Sequence, residues 1–131
     1  MILVDTSVLI DALSGRKNQQ VVKFRGILDR GISFGISPLI YLEVLQGAKS
    51  HNDYRALKDY LSTLKFYDLR DAKDSYEEAA TTYFKCRKHG ITLSSSVDCL
   101  IAQIALEHDL YLLHRDRDFD QMAKIVPLKI F

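Results

Sequence analysis

The sequence predicts an α/β fold built on a parallel sheet. Two observations carry that expectation. Short apolar or β-branched runs of three to five residues recur along the chain, and segments of helical period separate one run from the next. No internal repeat, low-complexity tract or linker interrupts the alternation, and 131 residues suffice for one core, so residues 1–131 are read as a single domain.

The elements follow in order. Ile2 to Val4 is too short for a helix and has the continuous apolar character of a buried parallel strand. Asp5, Thr6 and Ser7 supply capping side chains, after which Val8, Leu9, Ile10 and Leu13 form a short helix ending near Gly15. Arg16 to Gln20 is a polar connector, and Val21, Val22, Phe24, Ile27 and Leu28 then recur at helical spacing until Gly31. Ile32 to Ile36 alternates as a second strand. Ser37-Pro38 is a strong helix start, an N-cap followed by proline at the first helical position, and that helix carries Glu43 as far as Gln46-Gly47. A helix over Asp53 to Leu64 places Leu57, Tyr60, Leu61 and Leu64 on one face, and Lys65 to Leu69 reads as a third strand. The amphipathic stretch from Asp74 to His89 stops at Gly90. Ser94, Ser95 and Ser96 cap an apolar helix that carries Asp98 and ends near His108. Tyr111 to Leu113 is the fourth strand, Phe119 to Lys124 a short helix, and Leu128 to Phe131 a last strand.

Composition narrows the function classes. Net charge is +1, so no global basic field draws in a polyanion, and any nucleic-acid contact rests on local patches. Cys86 and Cys99 lack C-x-x-C spacing and read as reduced thiols in or near the core. No apolar run reaches the length of a membrane span and no signal-peptide pattern precedes the first strand, which points to the cytoplasm.

Chemistry enters through carboxylates in apolar settings. Asp5 stands where the first strand becomes a helix. Glu43 is flanked by Leu39, Ile40, Val44 and Leu45, Asp98 by Val97 and Leu100-Ile101, and Asp116 follows Tyr111 to His114. Burying an unpaired carboxylate costs several kcal/mol, so four such sites in one small chain call for a shared partner, and a hard divalent cation is the natural one. Parallel α/β sheets bind ligands beyond the carboxyl ends of their strands. Asp5 and Asp116 fall at such ends, Asp98 lies in the first turn of its helix, and Glu43 is long enough to lean back toward its helix N-terminus. Taken singly, Asp5 reads equally well as an N-cap and Asp98 as a complement to a helix dipole; the joint pattern favours one site.

Other chemistries fit poorly. Ser7 occupies the place where an aspartyl phosphatase carries its second Asp, and no glycine-rich nucleotide loop exists. His51, His89, His108 and His114 lack zinc-ligand spacing, and the serine run lacks a nucleophile elbow.

As an ordered set these pieces resemble the PIN-domain ribonucleases, specifically the VapC-type toxins of toxin–antitoxin pairs. The resemblance rests on Val4 to Ile10, Ser37 to Val44, Gly90 to Leu93 with Asp98 to Ala102, and Leu112 to Phe119. It implies a three-layer α/β/α sandwich, usually dimeric, in which Asp5, Glu43, Asp98 and Asp116 bind Mg²⁺ or Mn²⁺. Asp118 would be an auxiliary acid, and Thr6 or Ser7 would position water or phosphate. It further implies an RNA substrate and a cognate antitoxin protein. Arg115 and Arg117, beside the acidic cluster, and Arg16-Lys17 are candidates to hold the RNA backbone or are solvated loop charges. His114 replaces the small polar residue often found there, which leaves its role open. A housekeeping RNA-processing nuclease of the same fold, or a silent binding module, are the alternatives; intact acids at all four positions argue against the silent module.

Overall fold

The computed structural model describes residues 1–131. Five short parallel strands form one sheet: β1 (Ile2–Val4), β2 (Phe34–Ile36), β3 (Lys65–Phe66), β4 (Tyr111–Leu113) and β5 (Lys129–Ile130), in the order β3-β2-β1-β4-β5. Seven helices connect them: α1 (Thr6–Leu13), α2 (Gln19–Asp29), α3 (Pro38–Gln46), α4 (His51–Leu61), α5 (Ala72–Lys88), α6 (Ser96–Glu107) and α7 (Arg117–Ala123). Helices α1 to α4 pack among themselves, as do α5 to α7. Right-handed crossovers put these two groups on opposite faces of the sheet, which gives the α/β/α sandwich.

β1 is the middle strand, buried along its whole length, with Val4 opposite Leu113 of β4 and Leu3 opposite Gly35 of β2. The chain leaves β1 toward β2 and later returns to β4 on its other side. The strand order therefore reverses between β1 and β4, the place where α/β sheets open a binding crevice. The core closes around it with Leu3, Val8, Leu9, Ile36, Ile40, Ile101, Ile104, Leu112 and Phe119 almost fully buried. Glu107 accepts from Ser75 Oγ (2.6 Å), Gln103 Nε2 (2.9 Å) and the Arg70 amide (2.8 Å), which ties α6 to α5 and its entry loop.

The predicted elements all form, with shifted ends. Ile32 and Ser33 lie outside β2 because β1 has only three residues, and its first, Ile2, already pairs with Phe34. β3 ends at Phe66, although the Tyr67 amide still donates to Ile36 O (2.8 Å). Helices α2, α4, α5 and α7 begin earlier than predicted because Asn18, Ser50, Asp71 and Asp116 cap them, each accepting a backbone amide of the first turn. On α4, Leu61 is buried while Tyr60 stays exposed. Both cysteines are free and buried, as expected, and burial first, then the nearby Cys86 and Asp98, pushes the Cys99 thiol up to about 11. No helix is long and apolar enough to cross a membrane.

Gly35 sets how closely β3 approaches the sheet. A Cβ there would lie 2.6 Å from the Lys65 carbonyl and 2.7 Å from the Tyr67 ring. At Gly26, inside α2, a Cβ would meet only the flexible end of Arg30 at 2.9 Å. Gly35→Ala is expected to lower the unfolding free energy by about 1–3 kcal/mol. Gly26→Ala is expected to leave it unchanged or raise it by up to about 1 kcal/mol. Urea titrations of the two variants check both.

Candidate metal centre

Local structure positions each acidic residue. Asp5 leaves β1 in extended conformation and caps α1, its Oδ2 accepting from the Ser7 amide (3.2 Å) and the Ser7 hydroxyl (2.6 Å). Asp116 does the same after β4, capping α7 with Oδ1 on the Asp118 amide (2.9 Å). Asp98 sits in the first turn of α6, whose N-cap is Ser95. Glu43 lies on α3, and its Oε1 accepts from Thr6 Oγ1 (2.8 Å), which links it to the residue after Asp5. Helices α3 and α6, which carry Glu43 and Asp98, touch each other.

The oxygens converge. Asp98, Asp116 and Asp118 each offer one carboxylate oxygen within 4.8 Å of the others'. Asp5 is close enough for its charge to act on Asp98. Burial first, then the charges of Asp116, Asp5 and Asp118, pushes the Asp98 carboxyl up to about 7. Burial raises Asp5 as well, against the bonds from Ser7 that pull it down. Two carboxylates at such a separation repel by about 3 kcal/mol at an effective dielectric of about 20. No lysine or arginine forms an ion pair with Asp5, Glu43, Asp98, Asp116 or Asp118.

A pattern runs through the hydrogen bonds. Asp5 has one oxygen held by Ser7, Glu43 one held by Thr6, and Asp116 one held by the Asp118 amide. Asp118 has one held by Ser94, through the amide (2.8 Å) and the hydroxyl (2.5 Å). Four carboxylates are thus each fixed through one oxygen, and Asp98 takes none of these donors, its carboxyl sharing a hydrogen bond with Asp116 instead. That is a set of oriented, monodentate, all-oxygen donors, the chemistry a hard divalent cation takes. The residues present fit Mg²⁺ or Mn²⁺.

The remaining predicted residues divide. Thr6 and Ser7 face carboxylates of the site, and Ser7 Oγ also accepts the Arg115 amide (3.1 Å). The Arg115 guanidinium is engaged by Asp11 (3.0 Å), which is 3% exposed and also holds Arg16 (3.1 Å) and Asn18 (2.9 Å). Against the effect of burial, these bonds and charges hold the Asp11 carboxyl below its ordinary range. Arg117 is exposed and enters no ion pair. His114 is buried against Phe119, with ring centroids 5.1 Å apart. Its Nδ1 accepts the Asp116 amide (3.0 Å), so Nε2 carries the proton toward Asp120 (3.1 Å). His114 therefore fixes the backbone of Asp116.

Sequence reasoning missed Asp11, although Leu9-Ile10-Asp11-Ala12-Leu13 carries the signal that singled out Glu43, an acid in an apolar helical run. It also took Ser94 for part of a cap. Ser95 is the cap, and Ser94 holds Asp118; nothing local announces a bond across 24 residues. The largest cavity, about 570 Å³, lies elsewhere, between α5 and α6 against Tyr76, Tyr83 and Phe84.

The sequence profile of the PIN domain family matches residues 2–125. The VapC ribonuclease Mb1587 of Mycobacterium bovis is 33% identical over 130 residues, covering 98% of this chain and 96% of its own length. Ribonuclease VapC11 of Mycobacterium tuberculosis matches to the same extent, 33% over 130 residues. Among solved structures, VapBC2 from Rickettsia felis bound to a DNA fragment from its promoter superposes with a TM-score of 0.75 at 18% identity, covering 100% of this chain and 98% of that one. A toxin–antitoxin complex from Klebsiella pneumoniae gives 0.71 at 24% identity, covering 99% and 100%. Likeness at these identities speaks to the fold, and the sequence relatives speak to the family. The chain belongs to the PIN-domain family and stands among its VapC proteins.

Proposed function

We propose that the protein is a metal-dependent endoribonuclease, hydrolysing RNA phosphodiester bonds in the cytoplasm as the toxin of a toxin–antitoxin pair. The observation that carries this reading is the cluster of oriented carboxylates at the sheet's switch point. Relatives that are named ribonucleases supply the substrate class. In this reading Asp5, Glu43, Asp98 and Asp116 hold Mg²⁺ or Mn²⁺, directly or through water, and Asp118 assists. A bound divalent ion lowers the pKa of a coordinated water and neutralises charge on the phosphate. The chain's own part is positional: Ser7, Thr6 and Ser94 hold one oxygen of Asp5, Glu43 and Asp118 in place, and His114 anchors the backbone of Asp116 at the start of α7. No side-chain nucleophile is required, since phosphoryl transfer is mainly a matter of alignment and charge neutralisation. The active form is proposed to be a homodimer, silenced by its antitoxin.

Purified protein is expected to cleave single-stranded RNA with Mg²⁺ or Mn²⁺ and to stop when the ions are chelated. Cleavage undiminished in excess chelator rules the metal mechanism out.

Asp98→Asn separates a functional cluster from four structural acids. Folded Asp98 keeps its proton up to about pH 7, whereas an unfolded aspartate releases it near 3.8, so the folded state binds more protons in between. Stability of the metal-free protein should therefore fall as pH rises from about 4 to about 7, by on the order of 1 kcal/mol after allowance for solvent screening of a half-buried group. Asp98→Asn should flatten that dependence and, at pH 7 without metal, melt at or slightly above the parent's temperature. Its RNA cleavage should drop about 100-fold or more, because loss of even an indirect partner of a metal site costs about 10–100-fold. Metal should raise the parent's melting temperature more than the variant's. A destabilised Asp98→Asn that cleaves at the parental rate contradicts the site.

The antitoxin is expected to inhibit by placing an arginine, or less often a lysine, among Asp5, Glu43, Asp98 and Asp116, where a guanidinium takes bidentate bonds. A structure of the complex with that cluster left open refutes this account of inhibition.

A further inference from the structure

Beside the acidic cluster, the turn after α5 and the face of α7 enclose a polar hollow of about 250 Å³, lined by Gly90, Ile91, Thr92, Arg117, Asp118 and Gln121. We propose that this hollow is a nucleobase subsite that receives an unstacked guanine or uracil of the RNA next to the scissile phosphate. The inference rests on the ribonuclease reading and adds to it a determinant of sequence preference.

Size and shape favour a single base. Sites for drug-sized ligands run from about 300 to 1,000 Å³, and this hollow falls just below that range. Its walls are fixed before any ligand arrives. The Gly90 amide donates to Arg87 O (3.0 Å) and the Ile91 amide to Cys86 O (2.9 Å), and Gly90 holds φ at 77°, where a side chain would be strained. Ser94 clamps the far end of the same loop to Asp118.

The polar groups point to the class of base. Arg117 enters no ion pair or hydrogen bond within the chain, and the Thr92 hydroxyl has no partner there. The Gln121 amide oxygen accepts Lys124 Nζ (3.3 Å), which leaves the amide N–H groups of Gln121 to a ligand. Donors therefore outnumber acceptors among these open side-chain valences, the free Asp118 oxygen being the acceptor, which suits the ring N–H that adjoins the carbonyl in guanine and uracil. At purine C6 or pyrimidine C4, guanine and uracil present a carbonyl oxygen (O6 beside N7 in guanine, O4 in uracil) to such donors, whereas adenine and cytosine present an amino donor at that same position. Single-stranded RNA is read in this way, by hydrogen bonds to splayed bases stacked on planar or apolar side chains, and Arg117 and Ile91 supply such surfaces.

A phosphate fits less well. Asp118 lines the hollow, and its carboxylate stands within 4.8 Å of oxygens of Asp98 and Asp116, so an anion would meet an acidic wall. A neutral base meets no such repulsion. The shared residue Asp118 also sets the distance: a base in the hollow lies beside the cluster that faces the phosphate.

The test uses the full chain with Mn²⁺ and a single-stranded RNA pool randomised around its centre, with cut ends sequenced. One position at a fixed offset from the cut should favour guanine or uracil by about fivefold or more, the lower end of what a good base contact supplies. The double variant Thr92→Val, Gln121→Ala should reduce the preference to about twofold or less, while the Mn²⁺-induced rise in melting temperature stays at the parental value. Cleavage without a preferred base, a preference for adenine or cytosine, or a profile unchanged in the double variant overturns the subsite and leaves the ribonuclease reading standing. If the parent does not cleave, the same pool is selected for binding to Asp98→Asn protein. Guanine or uracil enrichment that Thr92→Val, Gln121→Ala removes then supports the subsite without the nuclease, and absence of such enrichment overturns both.

Discussion

Mutual repulsion among carboxylates is the constraint around which this molecule is organised. Asp98, Asp116 and Asp118 crowd within 4.8 Å, Asp5 adds a fourth charge, and no lysine or arginine forms an ion pair with them. Something must hold these groups together, and the parallel ladder does so. The pairing of Val4 with Leu113 brings the ends of β1 and β4 side by side, so Asp5 and the Asp116 loop leave the sheet as neighbours. The apolar residues beneath, Leu3, Val4, Leu112 and Leu113, are buried to within about a percent, and their burial offsets a repulsion of about 3 kcal/mol per close pair.

A second tier of interactions sets direction instead of position. Ser7 is bonded to Asp5 on one side and to the Arg115 amide on the other, and the Arg115 side chain continues to the buried carboxylate of Asp11. The loop after β4 is thus braced against α1 at two points, through its backbone and through its guanidinium. His114 braces it from the opposite flank, between the Asp116 amide and Asp120. Pre-set orientation of this kind is what a metal site needs, since ligands that are already aligned lose little freedom when the ion binds.

The acids at Asp5, Glu43 and Asp98 were legible in the sequence because each breaks an apolar run, and a break of that kind is expensive unless something uses it. The strand and helix order was legible because its periods, two for the sheet and 3.6 for the helices, are properties of short windows. What stayed hidden depends on partners far away in sequence. Ser94 meets Asp118 across 24 residues and does not differ locally from an ordinary cap position; Asp11 breaks an apolar run as Glu43 does, but its partner Arg115 lies 104 residues away. Element ends were hidden for a related reason. Ile32 has the character of a strand residue, but a three-residue β1 offers it no partner. The side chain of Arg115 looks free in sequence and is engaged in the fold.

The middle strand takes one neighbour from early in the chain and the other from late in it. Leu3 pairs with Gly35 on one side and with Leu112 on the other. During synthesis the first pairing is available early, whereas the second waits for the 77 residues from Gly35 to Leu112, about 4–15 s at ordinary elongation rates. Until β4 arrives, Asp5 has no Asp116 beside it and Ser7 has no Arg115 amide to hold. A chain at that stage thus carries Asp5, Glu43 and Asp98 without Asp116 or Asp118, and without the bracing that the loop after β4 supplies. The order of the strands acts as a timer: a nascent chain surrounded by ribosomal and messenger RNA lacks the completed cluster until β4 and the loop after it have been made.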